Sequence, residues 1–203
     1  MAPELKIRQD KEQEIKLHEP HLVILRGLPG SGKSSVANKI KDALSQKIEI
    51  VDPDLIKKKD EEYINFVNHE ILKEPDLEPK FLPYRYLLSK TIAFLENKKS
   101  VIWSQPFSDL EKLRYTIGKI KERTPDLKWQ TFIVDILIDK DTAIQRINDR
   151  KRLGGHGPDD RYLDEIVSKF CPAKELGFPY LSLNSEKDTI ETMAKKITKE
   201  LFK

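Results

Sequence analysis

Five apolar runs of strand length alternate along the chain with segments whose apolar residues return at helical spacing. The runs cover residues 21–26, 47–52, 100–105, 130–138 and 180–184. Between the first two, Val36, Ile40, Ala43 and Leu44 mark one face of a helix. Residues 55–99 are helical in period but broken at Glu74-Pro75-Asp76, Pro79 and Pro83, and end in a buried face of Leu87, Leu88, Ile92, Phe94 and Leu95. Further helices are predicted over 109–123, with Ser108 or Asp109 as N-cap, and over 139–152, 160–170 and 188–202. A thin stripe of Leu5, Ile15 and Leu17 predicts a charged helix over 3–18, an appendage within residues 1–20.

This alternation predicts an α/β fold with a parallel sheet and right-handed crossovers. Residues 130–138 are the longest apolar stretch and are expected at the sheet centre. Ligands of such sheets bind beyond the strand C-termini, which gathers Asp52, Asp54, Trp103, Ser104, Gln105 and Asn184 on one rim. The 203 residues suit one domain, and the stretch 55–99 is longer than a minimal crossover, which leaves room for a helical substrate-binding region.

Charged residues make up 35% of the chain and hydrophobic ones 38%, with a net charge of +3 from mixed signs. The runs Lys57-Lys58-Lys59, Lys98-Lys99 and Lys195-Lys196 read as solvated faces, so nucleic acid is not the favoured partner. Cys171 is the single cysteine; no intrachain disulfide can form, and a reducing compartment is expected. No run reaches the roughly 18 apolar residues of a membrane span, and the first residues lack a signal-peptide pattern, so a cytoplasmic protein without membrane contact is expected.

One stretch carries specific chemistry. Gly27-Leu28-Pro29-Gly30-Ser31-Gly32-Lys33-Ser34, followed by Ser35, has the spacing of a phosphate-binding loop between a strand and a helix. Its glycines let successive N–H groups point inward at an anion, and the helix N-terminus adds a positive dipole end. Lys33 supplies charge for the β- and γ-phosphates of ATP, and the Ser34 hydroxyl is placed to ligate Mg²⁺. Asp52-Pro53-Asp54 reads either as a capped turn or as a pair of working carboxylates, one accepting the proton of an attacking hydroxyl and the other near the metal. Arg146 and Arg150 share one helix face before Gly154-Gly155-His156-Gly157-Pro158; facing the cleft they could embrace a transferring phosphate from a mobile lid, residues 146–160.

These motifs together resemble the zeta toxin family of phosphate-loop kinases: the loop, the D-x-D after the second strand, and R-x-x-x-R-K-R-x-G-G-H-G-P. Pro83-Tyr84 leading a helix into the third strand also looks like that family, and the 5′-hydroxyl polynucleotide kinases share the skeleton. The resemblance, over about residues 21–184, implies a P-loop NTPase fold and a five-stranded mainly parallel sheet of order 2-3-1-4-5, and the chain length suits one kinase domain over residues 1–203. It implies Asp54 as general base, Arg146 and Arg150 as lid arginines on the nucleotide phosphates, and Asn184 at the strand end whose following loop lines the adenine. Lys57 stands where an Arg is usual, which loses a two-pronged fork. Trp103-Ser104-Gln105 brings no carboxylate to the third strand's end, leaving Asp52 to serve the metal beside Ser34. Trp103, Gln105, Asp54 and Lys57 are the candidate substrate contacts; stacking and core packing are both open to Trp103, as substrate contact and hinge packing are to His156.

The expectation is therefore an ATP–Mg²⁺ phosphotransferase acting on a small-molecule hydroxyl, such as a UDP-activated amino sugar or a nucleoside-like compound. A 5′-hydroxyl polynucleotide kinase and a weakly catalytic nucleotide-binding regulatory module are the alternatives. Membership of a toxin pair would add an antitoxin protein as partner.

Overall fold

The computed structural model describes residues 19–44, 47–155 and 157–201. The expected helix over 3–18 and His156 lie outside the described residues. Five strands form one sheet in the order β2-β3-β1-β4-β5, with every neighbouring pair parallel. They are β1 (His21–Arg26), β2 (Ile48–Val51), β3 (Ser100–Ser104), β4 (Gln130–Leu137) and β5 (Tyr180–Asn184). The expectation that residues 130–138 lie at the centre is corrected. β1 is central, flanked by β3 and β4, and β4 is the longer strand beside it.

Why β1 is an interior strand is visible in its side chains. Leu22, Val23, Ile24 and Leu25 are all fully buried, alternating between the two faces of the sheet. On one face, Val23 and Leu25 join Val134 and Ile136 of β4 beneath α1 (Lys33–Leu44) and the C-terminal α7 (Ile190–Leu201). On the other, Leu22 and Ile24 join Trp103 and Ile133 beneath α3 (Leu82–Glu96) and α4 (Leu110–Arg123). A strand that is apolar on both sides cannot sit at an edge without exposing one of them. The shorter β2 ends at Val51, because Pro53 has no N–H to continue a ladder.

The broken helical stretch resolves into α2 (Glu61–Lys73) and α3, which Pro83 starts rather than breaks. Tyr86 of α3 meets Tyr63 and Phe66 of α2 edge-on, with ring centroids 5.0 and 5.2 Å apart. Arg85 ties the pair further through Glu70 and Glu74. Two helices past the phosphate loop complete the frame, α5 (Lys140–Arg152) and α6 (Asp160–Lys169). Asp109, Asp139 and Asp159 cap α4, α5 and α6 by accepting backbone N–H bonds, each worth about 1 kcal/mol of helix stability. Asp109, not Ser108, is the cap of α4.

α5 and α6 pack on a small separate core of Leu28, Ala143, Ile147, Leu163 and Ile166. Leu28 belongs to the glycine-rich loop itself, so the two helices grip the loop that follows β1. No helix among the described residues is long and apolar enough to cross a membrane.

Candidate active site

The glycine-rich loop takes the only path its surroundings leave open. Gly27 has φ +146°, and a Cβ there would lie 2.2 Å from the Ile136 carbonyl oxygen of β4. Gly30 has φ +87°, and its Cβ would press to 2.9 Å from the Ala143 carbonyl oxygen of α5. Any side chain at either position would meet backbone, which cannot rotate away. The Ser31 N–H donates to the Leu28 carbonyl oxygen at 3.1 Å and closes the turn. The buried Ser31 hydroxyl has no hydrogen-bond partner. A buried orphan hydroxyl in a loop of this spacing, just before the N-terminus of α1, fits a site that receives an anionic ligand.

Lys33 lies buried at the start of α1, where its ammonium donates to the carbonyl oxygens of Gly27 at 3.0 Å and Leu28 at 2.9 Å. Burial lowers its pKa from the ordinary 10.5 to about 8; Asp52 and Asp54 oppose the shift and the Arg150 charge adds to it. Ser34 follows on the exposed side of α1 and donates to Asp52 Oδ2 at 3.0 Å. Asp52, buried at the end of β2, accepts the Asp54 N–H at 2.9 Å through its other oxygen. The capped turn and the functional carboxylate are thus one object: Asp52 builds the turn that holds Asp54 out on the rim, exposed. A hydroxyl and a carboxylate meeting at Ser34 and Asp52 form an all-oxygen pair of the kind that suits Mg²⁺ with several retained waters.

Across the loop, Arg146 of α5 donates to the Gly30 carbonyl oxygen at 3.3 Å and to Ser185, reaching its hydroxyl at 3.2 Å and its carbonyl oxygen at 3.0 Å. It strings α5, the phosphate loop and the turn after β5 together. Arg150, one turn on, is exposed, and the Gly155 N–H folds back onto its carbonyl oxygen at 2.9 Å. Pro29 and Ser35 lie on the outer side of the loop, half-buried and exposed respectively. Asn184 is half-buried, and its side-chain oxygen accepts the Glu186 N–H at 2.8 Å, shaping the turn that receives Arg146. Lys57 is exposed and lines a cavity of about 210 Å³ with Asp52, Asp60, Glu62 and Lys90.

Trp103 is corrected as a substrate contact. It is fully buried between Tyr84 and Phe107, at centroid distances of 6.2 and 5.7 Å, and no ligand reaches its ring. Its indole N–H donates instead to Gln105 Oε1 at 3.1 Å. Gln105 itself lines a cavity of about 530 Å³ that opens between α3, α4 and α6 at the end of β3.

A buried ion pair escaped the reading of the chain. Arg26, the last residue before the loop, pairs with Asp135 of β4 at 2.8 Å, and both side chains are fully buried. Arg26 also donates to the carbonyl oxygens of Phe107 and Cys171, and packs its guanidinium 4.5 Å from the Phe170 ring centre. Asp135 accepts from the Ala173 N–H and the Tyr180 hydroxyl. The signal was present: each is a lone charge ending or interrupting a strongly apolar run. Inside a sheet, such a charge needs a partner on the adjacent strand.

Residues 22–172 match the family model AAA_33, described as an AAA domain. The chain belongs to that family. No curated protein matches it. Among solved structures it is similar to a candidate kinase from Chloroflexus aurantiacus j-10-fl, at 16% identity and TM-score 0.62, covering 89% of this chain and 97% of that one. A gluconokinase from Sinorhizobium meliloti 1021 is similar at 16% identity and TM-score 0.53, covering 90% and 96% of the two chains. The Pnkp1/Rnl/Hen1 RNA repair complex is similar at 20% identity and TM-score 0.55, covering 78% of this chain and 46% of that one. At these identities the likeness establishes the fold, that of the P-loop kinases.

Proposed function

We propose that this AAA_33 protein is an ATP-dependent kinase that transfers the γ-phosphate to a hydroxyl of a small molecule. The observation that carries the reading is the placement of Asp54, an exposed carboxylate held on the rim by Asp52, whose other oxygen meets the Ser34 hydroxyl at the start of α1. Phosphoryl transfer asks mainly for positioning and for neutralisation of the phosphate oxygens. The loop amides and Lys33 hold the β- and γ-phosphates. Magnesium, held by Ser34 and through Asp52, supplies further neutralisation of those oxygens when bound.

Asp54 accepts the hydrogen bond of the acceptor hydroxyl, aims its oxygen at the γ-phosphorus and takes up the proton as the new P–O bond forms and the bond to ADP breaks. Arg150, exposed near the end of α5 with its stem against Gly155, faces the transferring group. Arg146, already committed to Gly30 and Ser185, holds the nucleoside side of the cleft closed. The 146–160 stretch acts as the lid, with α5 as its rigid part. A polynucleotide acceptor is not favoured: the net charge is only +3, whereas nucleic-acid grooves are built from unmatched cations. Incubating the purified chain with γ-labelled ATP, Mg²⁺ and a panel of small alcohols, alongside RNA and DNA bearing free 5′-hydroxyls, tests the reading. Label is expected on a small alcohol; label on the nucleic-acid ends would overturn the choice of acceptor, and ATP that fails to bind would overturn the kinase.

A further inference from the structure

The cavity of about 530 Å³ beside Gln105 lies within the range of small-molecule sites. It rests against the end of β3, where the Gln105 N–H donates to the Leu25 carbonyl oxygen of β1 at 3.1 Å. Its inner end therefore adjoins the strand that leads into the phosphate loop, and α6, the helix after the proposed lid, forms one wall.

Three large aromatic residues line the cavity while keeping much of their surface in solvent: Phe81 at 46%, Tyr115 at 59% and Tyr162 at 50% exposed. They come from three separate elements, the turn before α3, then α4 and α6. Aromatic faces left open around a concave site favour a flat ring between them.

The charges around the cavity point the same way. Arg85 is bound by Glu70 at 3.0 Å and Glu74 at 2.6 Å. Lys169 is bound by Glu165 at 2.7 Å, and Lys112 stands 3.9 Å from Asp109. Arg85 and Lys169 thus already have a carboxylate each, and Asp109 and Glu165 line the cavity beside the cations, so the wall offers an anion little unmatched charge. The polar group on offer is neutral. The Trp103 indole, which can only donate, occupies Gln105 Oε1, which leaves the amide NH₂ of this cavity-lining residue as the donor for a ligand.

We infer that this cavity is the acceptor site of the proposed kinase, and that it takes an uncharged alcohol carrying a flat aromatic ring. The ring lies among Tyr115, Tyr162 and Phe81, an oxygen on it receives the Gln105 NH₂, and the hydroxyl end points along the rim toward Asp54. The inference rests on the kinase reading for its reaction but not for its binding.

Binding to the full chain, measured by calorimetry with the nucleotide site saturated by a non-hydrolysable ATP analogue and Mg²⁺, tests it. The probes are uridine and phenyl β-glucoside as neutral ring alcohols, methyl β-glucoside without a ring, and gluconate and UDP-glucose as anions. The neutral ring compounds are expected to bind and the other three to bind at least tenfold more weakly. Tyr115→Ala and Tyr162→Ala are each expected to weaken the ring compounds about 5- to 100-fold, the range for loss of one stacking partner. Both variants should leave affinity for the ATP analogue unchanged, which shows that they are folded. Preference for gluconate, UDP-glucose or the ringless sugar, absence of binding by either ring compound, or indifference to both tyrosines would overturn the inference while leaving the kinase intact. Failure of the ATP analogue to bind would instead sink the kinase reading.

Discussion

The phosphate end of the cleft and the acceptor end are built by different means. At the phosphate end almost everything is backbone: amides around the loop, two glycines with no room for a Cβ, and a lysine whose ammonium is bonded to loop carbonyls. At the acceptor end the walls are side chains from three helices, open to solvent and already paired in charge. The first is preformed and tolerates little change. The second can be remodelled residue by residue, which is how one fold serves many acceptors.

The contrast can be broken most severely at Gly27. Gly27→Ala sets a methyl group against the Ile136 carbonyl oxygen at 2.2 Å, at a φ of +146° that alanine rarely adopts. The expected result is destabilisation above about 4 kcal/mol in denaturant titrations, with ATP binding lost in whatever fraction folds. Arg26→Met comes next: it strands the fully buried Asp135 without its partner, at a cost of about 3–5 kcal/mol in the same measurement. By contrast, Tyr115→Ala in the acceptor wall should shift unfolding by less than about 0.5 kcal/mol. If Gly27→Ala and Tyr115→Ala cost alike, the division between a rigid and a permissive end fails.

Lys33→Met sharpens the contrast in the opposite sense. ATP affinity or turnover should fall about a hundred- to a thousandfold, while the ligand-free protein melts at a higher temperature at pH 7, because a buried charge has been removed. The linked pH effect has a definite sign. Lys33 titrates near 8 when folded and near 10.5 when unfolded, so between those values the unfolded chain holds more protons. Stability of the ligand-free protein therefore gains from this residue as pH rises from about 8 to 10.5, and the full cost of the buried charge is present below 8. Calorimetric scans of the wild type should show that gain relative to Lys33→Met. ATP needs the protonated form, so its affinity should drop roughly tenfold between pH 7 and 9.

How legible each end was in the sequence follows from the same difference. Backbone geometry at the loop permits few residue types, so Gly27, Gly30 and Lys33 announced themselves by spacing alone. The strand set and its parallel order were equally plain, because a buried sheet needs apolar runs between helical ones. Asp54 was visible as a motif, but not the reason for its companion: Asp52 holds Asp54 and meets Ser34 through its two oxygens. For Trp103 stacking and packing were both open in the sequence, because an aromatic at a strand's end looks alike whether its ring turns to the rim or, as here, under α3 and α4. The longest apolar run misled about the sheet centre for a related reason: burial on both faces marks an interior strand, β1, β3 and β4 all have it, and length does not rank them. The acceptor cavity was invisible, since Phe81, Tyr115 and Tyr162 are far apart in the chain and only the packing of three elements brings them together.

The central claim is that Asp54 aims and deprotonates an alcohol facing the phosphate loop. Side-by-side measurement of kcat and of ATP affinity for wild type and Asp54→Asn, with the acceptor found by labelling, tests it most directly. A fall in kcat of about 10²- to 10⁴-fold with ATP affinity held within about twofold is the predicted result. Undiminished kcat in Asp54→Asn would contradict it.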